Sequence, residues 1–174
     1  MKQIEMTPIG EVRSSFAKPL SMDMDYDAQP EGWKTQIRAY QRKVRTTVSR
    51  LVIRPEYEEL LEGIEEFSHI LVLFWPHLID PERRKIQKTH PMGRKDLPQR
   101  GIFSTCSPAR PNPVLVTAVE LVGRKGNMLL VKGLEAVDGT PIIDIKPYSR
   151  NYHLVSNPES PAWMQRLHED IGVR

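Results

Sequence analysis

The chain has 174 residues, of which 39% are hydrophobic and 27% charged, and its formal net charge is +3. These values are ordinary for a globular protein, and a chain of this length can bury a core without disulfides. The single cysteine, Cys106, excludes an internal disulfide framework and fits a reducing compartment. The N-terminal residues lack the apolar run of a signal peptide, and no run of about eighteen apolar residues would span a membrane. We therefore expect a cytoplasmic protein with no membrane partner.

Strand patterns dominate the first half of the chain. Three strands are predicted, at residues 9–12, 46–53 and 68–75. The third is a nearly continuous apolar run (SHILVLFW), which is typical of a strand buried on both faces. A short helix is expected at residues 56–61, with Gly63 as its stop. Residues 14–36 are predicted to be polar and irregular. Residues 78–100 are polar and basic, and a loop of that length is usually functional or mobile.

The second half predicts a hairpin, a further strand and a C-terminal helix. Apolar strands at residues 114–122 and 128–134 are joined around Gly126-Asn127, a hairpin pattern. Residues 142–146 form the next strand, after a turn. The helix is expected to start with Ser160 as N-cap and Pro161 as its first residue, and to run through Asp170 to a stop at Gly172. Its apolar stripe consists of Trp163, Leu167 and Ile171.

Many short strands separated by turns predict a mainly β fold, a barrel-like mixed sheet with peripheral helices that include the C-terminal one. We expect a barrel domain at residues 1–150 and a helical extension at residues 151–174. A doubly wound nucleotide-binding fold is disfavoured, because helical crossovers and a G-x-G-x-x-G motif are both missing.

Several familiar motifs fail in this sequence. Asp23, Asp25 and Asp27 match the opening of a calcium loop, but Ala28 and Lys34 stand where Gly and Glu are needed. The five histidines show no short ligand spacing and no paired cysteines, so zinc is disfavoured. No G-x-S-x-G surrounds a serine, which weighs against an ordinary hydrolase. We predict no metal site.

Residues 101–113 are unusual for their prolines. Pro108, Pro111 and Pro113 restrict the backbone and push the preceding residues toward extended geometry. The result is a stiff loop that presents Arg110 and Asn112 with little residual backbone entropy. We favour a recognition loop over a plain Pro-rich connector, because an Arg and an Asn set between prolines suit binding better than connection.

The strand at residues 142–148 carries polar groups at alternate positions. Ile143 and Ile145 are expected to face the core, which places Asp144, Lys146 and Tyr148 on the other face. A carboxylate, an amine and a phenol on one face suit proton transfer or ligand binding. The alternative is a solvated face with a surface ion pair.

Basic residues concentrate in two stretches, which suit the phosphate backbone of a nucleic acid. The alternative is two solvated loop faces. The first stretch comprises Arg38, Arg42, Lys43, Arg45, Arg50 and Arg54, and the second Arg83, Arg84, Lys85, Lys88, Arg94, Lys95 and Arg100.

A set of short segments carries a family resemblance when the segments are taken together and in order. They are Pro8-Ile9-Gly10, residues 61–69 (LEGIEEFSH), residues 101–113, Asp138-Gly139-Thr140-Pro141 and residues 144–148 (DIKPY). On these segments the chain resembles the TsaA-like (TrmO) family. The resemblance implies a β-barrel methyltransferase that binds S-adenosyl-L-methionine near a homodimer interface. It further implies methylation of N6 of threonylcarbamoyl-adenosine beside the anticodon of tRNA.

The resemblance also implies a set of cofactor-binding residues and shows two departures. Cys106 stands where many members have Arg, and the family's Pro-Arg-Gln segment after the first strand is absent. The residues that the resemblance assigns to the cofactor pocket are His77, Cys106, Arg110, Asn112, Val116, Asp138, Gly139, Thr140 and Pro141.

For the methyl transfer we predict Asp144 or Tyr148 as the base, with Lys146 and Arg110 holding a phosphate or the carboxylate of the modified base. Three alternatives stay open. The first is a methyltransferase acting on another RNA or a small molecule. The second is a non-catalytic module that binds S-adenosyl-L-methionine or RNA and regulates a partner. The third is a structural barrel that dimerises through the C-terminal helix.

Overall fold

The computed structural model describes residues 3–18 and 30–172, so the acidic run at residues 23–27 lies outside the described residues. Within the described part, no helix is both long and apolar enough to cross a membrane. The strands are β1 (Gly10–Arg13), β2 (Val48–Ile53), β3 (His69–Phe74), β4 (Lys88–Thr89), β5 (Arg100–Gly101), β6 (Leu115–Lys125), β7 (Met128–Lys132) and β8 (Pro141–Pro147). The α-helices are α1 (Pro30–Thr46), α2 (Arg150–His153) and α3 (Ala162–Ile171).

Six strands close into a barrel in the order β1-β2-β7-β6-β3-β8, and β8 pairs back onto β1. The predicted barrel with peripheral helices is therefore confirmed. The sheet is not mixed, however, because every strand pairing in the described residues is antiparallel. The hairpin between β6 and β7 turns at Gly126-Asn127 as predicted. The long basic segment that begins at residue 78, which we call the long excursion, contains β4 and β5, and these two strands form a separate two-stranded sheet.

Alternate residues of each barrel strand fill the core. In β3, Ile70, Val72 and Phe74 are buried, whereas Leu71 and Leu73 are only half-buried on the outer face. The prediction that β3 is buried on both faces is therefore wrong for its outer side. A continuous apolar run does not distinguish a doubly buried strand from one whose outer face carries leucines that the chain leaves partly uncovered.

Strand β8 contains a bulge that changes which isoleucines face the core. Leu73 of β3 pairs with Asp144, but Phe74 pairs with Ile142, so Ile143 is an extra residue without a partner in β3. Ile142 is fully buried, and Ile145 packs against the core. The predicted inward direction of Ile143 is wrong, because a strict two-residue period does not survive a bulge.

Helix α1 was not predicted, since Pro30 and Gly32 suggested an irregular segment. Its buried residues Trp33, Ile37 and Val44 are spaced as one helical stripe. The stripe is the local pattern that would have revealed the helix. At residues 55–61 the structure has a 3₁₀ helix, Pro55–Leu61, where an ordinary short helix was expected.

Helix α3 packs against α1 and forms a second hydrophobic cluster beside the barrel. Trp163, Leu167 and Ile171 are buried there, as their spacing predicted, and Gly172 ends the helix at φ 71°. The N-cap is Pro161, not Ser160, and no side chain caps the helix. Because the stripe is covered within the same chain, it is not free to support dimerisation through this helix.

Ion pairs fasten α3 to the long excursion and to α1. The guanidinium of Arg94 pairs with Asp170 and Asp96, and its carbon atom Cζ lies 5.2 Å from the centre of the Trp33 ring. Lys34 Nζ lies 3.3 Å from Asp170 Oδ1. The hydrogen bond from Arg94 lowers the pKa of the Asp170 carboxyl.

A carboxyl group whose pKa is lowered in the folded state stabilises the fold at pH values above the ordinary pKa of aspartate. This stabilisation is lost as the pH falls through the pKa of the folded state. We therefore expect Asp170→Asn to lower the free energy of unfolding at pH 7 by about 1–3 kcal/mol, and to flatten its decline below about pH 4. Urea unfolding at a series of pH values measures both. In Glu56→Gln, which removes a half-exposed partner of Arg54, the loss should stay below about 1 kcal/mol. An unchanged acid profile in Asp170→Asn would contradict the assignment.

Gly10 is required by the close approach of β1 to β2. A Cβ atom at this position would lie 2.3 Å from the carbonyl oxygen of Val52 and 2.9 Å from Cα of Ile53. We expect Gly10→Ala to lower the free energy of unfolding by about 1–3 kcal/mol, because backbone must shift to admit the methyl group. The matched control is Gly123→Ala in β6, where a Cβ meets nothing within 4 Å. Equal losses in the two variants, measured by urea unfolding, would refute this explanation.

Candidate functional site

Most of the predicted cofactor residues gather at one end of the barrel. Because β3 runs antiparallel to β6 and β8, its C-terminal end meets the N-terminal ends of both neighbours. His77 follows β3, and Asn112 precedes β6, which contains Val116. The turn Asp138–Pro141 leads into β8, and the N–H of Trp75 donates to the carbonyl oxygen of Pro141 at 3.0 Å. Segments more than sixty residues apart in sequence thus meet at one site, which we call the strand-end site.

The turn at residues 138–141 is held rigidly against β1. The N–H of Gly139, where φ is 74°, donates to the carbonyl oxygen of Val12 at 2.8 Å. The carbonyl oxygen of the buried Thr140 accepts from the N–H of Val12 at 2.8 Å. Asp138 Oδ1 accepts from the N–H of Ser14 at 3.0 Å. These bonds fix the turn, so its atoms are in place before any ligand arrives.

The proline-rich loop presents only one of its two predicted recognition side chains. Asn112 is exposed, but Arg110 is half-buried and folds back onto its own loop. Its Nη2 donates to the carbonyl oxygens of Thr105 at 3.1 Å and Ile102 at 3.4 Å. Its Nε is buried without a hydrogen-bond partner in the described residues. Cys106 is exposed in the same loop.

Trp75 and Arg84 belong to the strand-end site, although no sequence pattern singled them out. Trp75 immediately follows β3 and is half-buried. The Cζ atom of Arg84 lies 5.0 Å from the centre of the Trp75 ring, and its Nε is buried without a partner in the described residues. The long excursion therefore returns to the barrel end. The length of this segment suggested a functional role, but no sequence pattern identified Arg84 as the cation that lies at the barrel end.

Asp144 and Lys146 form an ion pair on the outer face of β8. Lys146 Nζ lies 2.7 Å from Asp144 Oδ2, and Asp144 Oδ1 accepts from the N–H of Ile145 at 2.9 Å. Asp144 pairs with Leu73, which pairs in turn with Val116, so Asp144 and Val116 flank one leucine on the same face. The predicted shared face of Asp144 and Lys146 therefore exists, and it adjoins the strand-end site.

Tyr148 lies toward the other end of the same strand. Its N–H donates to the carbonyl oxygen of His69, the first residue of β3, at 3.1 Å. Four residues of extended chain separate it from Asp144, a distance of about 13 Å. The two residues predicted as alternative bases therefore lie toward opposite ends of the strand.

Both basic stretches mix exposed cations with cations that make local contacts. In the first, Arg42, Arg45 and Arg50 are exposed on α1 and β2, whereas Arg54 pairs with Glu56 and Arg38 donates to the carbonyl oxygen of Asp170 at 2.9 Å. In the second, Lys85 pairs with Glu82 at 2.7 Å, and Arg94 pairs with Asp96 and Asp170. Part of each stretch therefore serves local structure, and the remaining cations are available to a polyanion.

The closed antiparallel barrel places this chain among the small barrels in which several strand ends build one site. It belongs to the TrmO family: the family described as "tRNA-methyltransferase O N-terminal domain" matches residues 34–153. The resemblance inferred from the sequence is thereby confirmed.

The relatives include bacterial, archaeal and mammalian proteins. A probable S-adenosyl-L-methionine-binding protein of Methanothermobacter thermautotrophicus is 42% identical over 146 residues, which cover 84% of this chain and 90% of the relative. The human tRNA (adenine(37)-N6)-methyltransferase is 34% identical over 125 residues, covering 71% of this chain and 27% of the human protein. The crystal structure of TrmO from Pseudomonas aeruginosa gives a TM-score of 0.64 at 26% identity, covering 91% of this chain and 62% of the other. This chain therefore spans less than two thirds of that TrmO and about a quarter of the human enzyme.

Proposed function

We propose that this protein is an S-adenosyl-L-methionine-dependent methyltransferase that modifies N6 of adenosine 37 in tRNA, with the threonylcarbamoylated base as its substrate. The observation that carries the proposal is the strand-end site, where two segments of the family resemblance meet, the proline-rich loop and the turn at residues 138–141. The names of the relatives support both halves, since one is described as binding S-adenosyl-L-methionine and another as methylating adenine 37 of tRNA.

The chemistry of the strand-end site suits this cofactor. The Asn112 amide is exposed, the Trp75 ring offers an aromatic face, and the buried Nε of Arg84 is an unused donor in the described residues. Amide, aromatic and guanidinium groups match the ribose, adenine and carboxylate of S-adenosyl-L-methionine. When bound, the cofactor supplies an electrophilic methyl group on a sulfonium. We assign its binding to these residues together with His77 and the turn at residues 138–141.

The remaining residues predicted to bind the cofactor stay in the proposal, but some have other roles than direct contact with the cofactor. Arg110 braces the loop that carries Cys106 and Asn112, and Val116 forms the wall beside Asp144. An exposed Cys106 in place of the family's Arg leaves the site with one cation fewer, which suits a bound sulfonium.

We assign the proton acceptor to Asp144 in preference to Tyr148, because Asp144 adjoins the strand-end site. Its carboxylate is paired with Lys146, so Lys146 must move to another anion before Asp144 can take a proton. The carboxylate of the modified base is such an anion. Binding the correct substrate would then release the base, which favours the modified nucleoside over plain adenosine.

A homodimer is part of the proposal. The outer face of β3 and β6 carries the half-buried Leu71 and Leu73 beside Val116, which is 61% exposed. Phe103 in the proline-rich loop is 79% exposed. A second copy would cover this apolar surface next to the strand-end site. A tRNA substrate also supports location in the cytoplasm, where the single free cysteine stays reduced.

Incubation with S-adenosyl-L-methionine and bulk tRNA tests the function. The expected result is S-adenosylhomocysteine in an amount equal to the methyl groups gained by the tRNA. A regulatory module would bind S-adenosyl-L-methionine without forming S-adenosylhomocysteine. A small-molecule methyltransferase would leave the tRNA unlabelled. Either result would refute the proposal.

A further inference from the structure

A groove of about 760 Å³ opens at the end of β3 that lies away from the strand-end site. The backbone hydrogen bond between Tyr148 and His69 sets its position, because this bond joins the C-terminal end of β8 to the start of β3. The short helix α2 follows immediately and borders the groove. The groove is lined by Ser68, His69, Ala118, Tyr148, Arg150 and Leu154.

Two aromatic rings are already stacked at this groove. The ring centres of Tyr148 and His153 lie 5.2 Å apart, with an angle of 20° between their planes. Nδ1 of His153 lies 3.1 Å from the backbone nitrogen and 2.9 Å from the carbonyl oxygen of Ser149, and these contacts fix the orientation of the imidazole. A fixed aromatic face beside an open groove can stack a further flat ring at little cost in side-chain entropy.

The charges at the groove favour an anionic ligand. None of its six lining residues is acidic, and Arg150 is exposed at its rim; the nearest carboxylate along the strands is that of Glu120, which pairs with His69. His69 also lies there, with Nδ1 3.0 Å from the hydroxyl oxygen of Ser68. A flat ring joined to a phosphate meets both the aromatic and the cationic requirement, which is the chemistry of a nucleotide in a single strand.

We propose that the groove binds an unpaired nucleobase of the RNA substrate, which stacks on Tyr148 while Arg150 holds an adjacent phosphate. This inference rests on the proposed tRNA function and adds the position of an RNA-binding groove on the protein. Bases in a duplex are already stacked on each other, so the groove selects single-stranded loops. Tyr148 is thus a substrate-binding residue that contacts the nucleobase through its ring and not through its hydroxyl group.

The test uses the full chain and a fluorescently labelled RNA hairpin with a single-stranded loop, with binding measured by anisotropy. Tyr148→Leu should weaken hairpin binding about tenfold, the value of one lost base–aromatic stack. Tyr148→Phe keeps the ring and should bind as the wild type does. Tyr152→Leu is the matched control, because this ring is 88% exposed and lies outside the groove lining. A blunt RNA duplex should bind equally to all four proteins.

A second variant, Arg150→Gln, tests the groove independently of whether Tyr148→Leu folds. Arg150 is exposed, so Arg150→Gln should fold normally and reduce the slope of log affinity against log salt concentration by about one. Affinity for S-adenosyl-L-methionine should stay unchanged in every variant.

Unchanged hairpin binding in Tyr148→Leu would overturn the proposal, as would an equal loss in Tyr152→Leu. A shift from dimer to monomer in Tyr148→Leu during sedimentation would also overturn it, because the groove would then hold a second copy. These failures are distinct from failure of the proposed function, in which the wild type itself would produce no S-adenosylhomocysteine with tRNA.

Discussion

Asp144→Asn is expected to lower the single-turnover rate of tRNA methylation by about 10²–10⁴-fold, the usual contribution of a positioned general base. An amide keeps the shape of the carboxylate but cannot accept the proton of the methylated nitrogen. Asp144 and Lys146 are both substantially exposed, so the ion pair adds little to stability, and the variant should remain folded. The affinity for S-adenosyl-L-methionine should be unchanged, because the carboxylate acts on the nucleoside.

The control for this variant is Glu120→Gln. Glu120 is an exposed carboxylate of β6 whose Oε1 lies 3.6 Å from Lys132 Nζ, so its ion pair resembles that of Asp144. Its removal should leave the methylation rate unaltered. A full single-turnover rate in Asp144→Asn would show that Asp144 is not the base. Rapid-quench assays with enzyme in excess over tRNA, and with saturating S-adenosyl-L-methionine, measure these single-turnover rates directly.

Trp163→Ala is expected to lower the free energy of unfolding by about 3–5 kcal/mol, because it leaves a cavity at the centre of the α1–α3 contact. Trp163 is buried together with Trp33, Ile37 and Leu97. Leu97 belongs to the long excursion, so the loss should also loosen the segment that leads into the proline-rich loop. We therefore expect weaker binding of S-adenosyl-L-methionine at temperatures below the unfolding midpoint.

Arg166→Ala provides the comparison, since Arg166 lies on the exposed side of the same helix. It should change the free energy of unfolding by no more than about 0.5 kcal/mol. Urea unfolding followed by tryptophan fluorescence and circular dichroism measures both variants. A loss below about 1 kcal/mol in Trp163→Ala would mean that α3 adds little to the fold.

The barrel strands could be predicted from the sequence because each is a local pattern. Alternating or continuous apolar residues located β1, β2, β3 and the hairpin to within a few residues. Helix α1 was not predicted because Pro30 and Gly32 suggested an irregular segment and the stripe of Trp33, Ile37 and Val44 was overlooked. The inward and outward faces of β8 were partly misjudged because the bulge at Ile143 depends on pairing with β3, which no local pattern encodes.

The candidate site likewise has features that local sequence patterns predict and features that depend on tertiary contacts. Segments with several distinctive residues, such as Asp138–Pro141 and the proline-rich loop, were visible in the sequence. The inward fold of Arg110 and the return of Arg84 to Trp75 depend on tertiary contacts, so the sequence could not supply them. The separation of Asp144 from Tyr148 follows from strand geometry alone, and it divides a single predicted catalytic group into a proton acceptor and a base-stacking ring.

The most direct test of the proposed function compares two tRNA pools. The protein is incubated with labelled S-adenosyl-L-methionine and bulk tRNA from cells with and without threonylcarbamoylation, and the labelled nucleoside is then identified by mass spectrometry. We expect label only in the threonylcarbamoylated pool, on N6 of adenosine 37. Equal label in both pools, or label on another nucleoside, would contradict it.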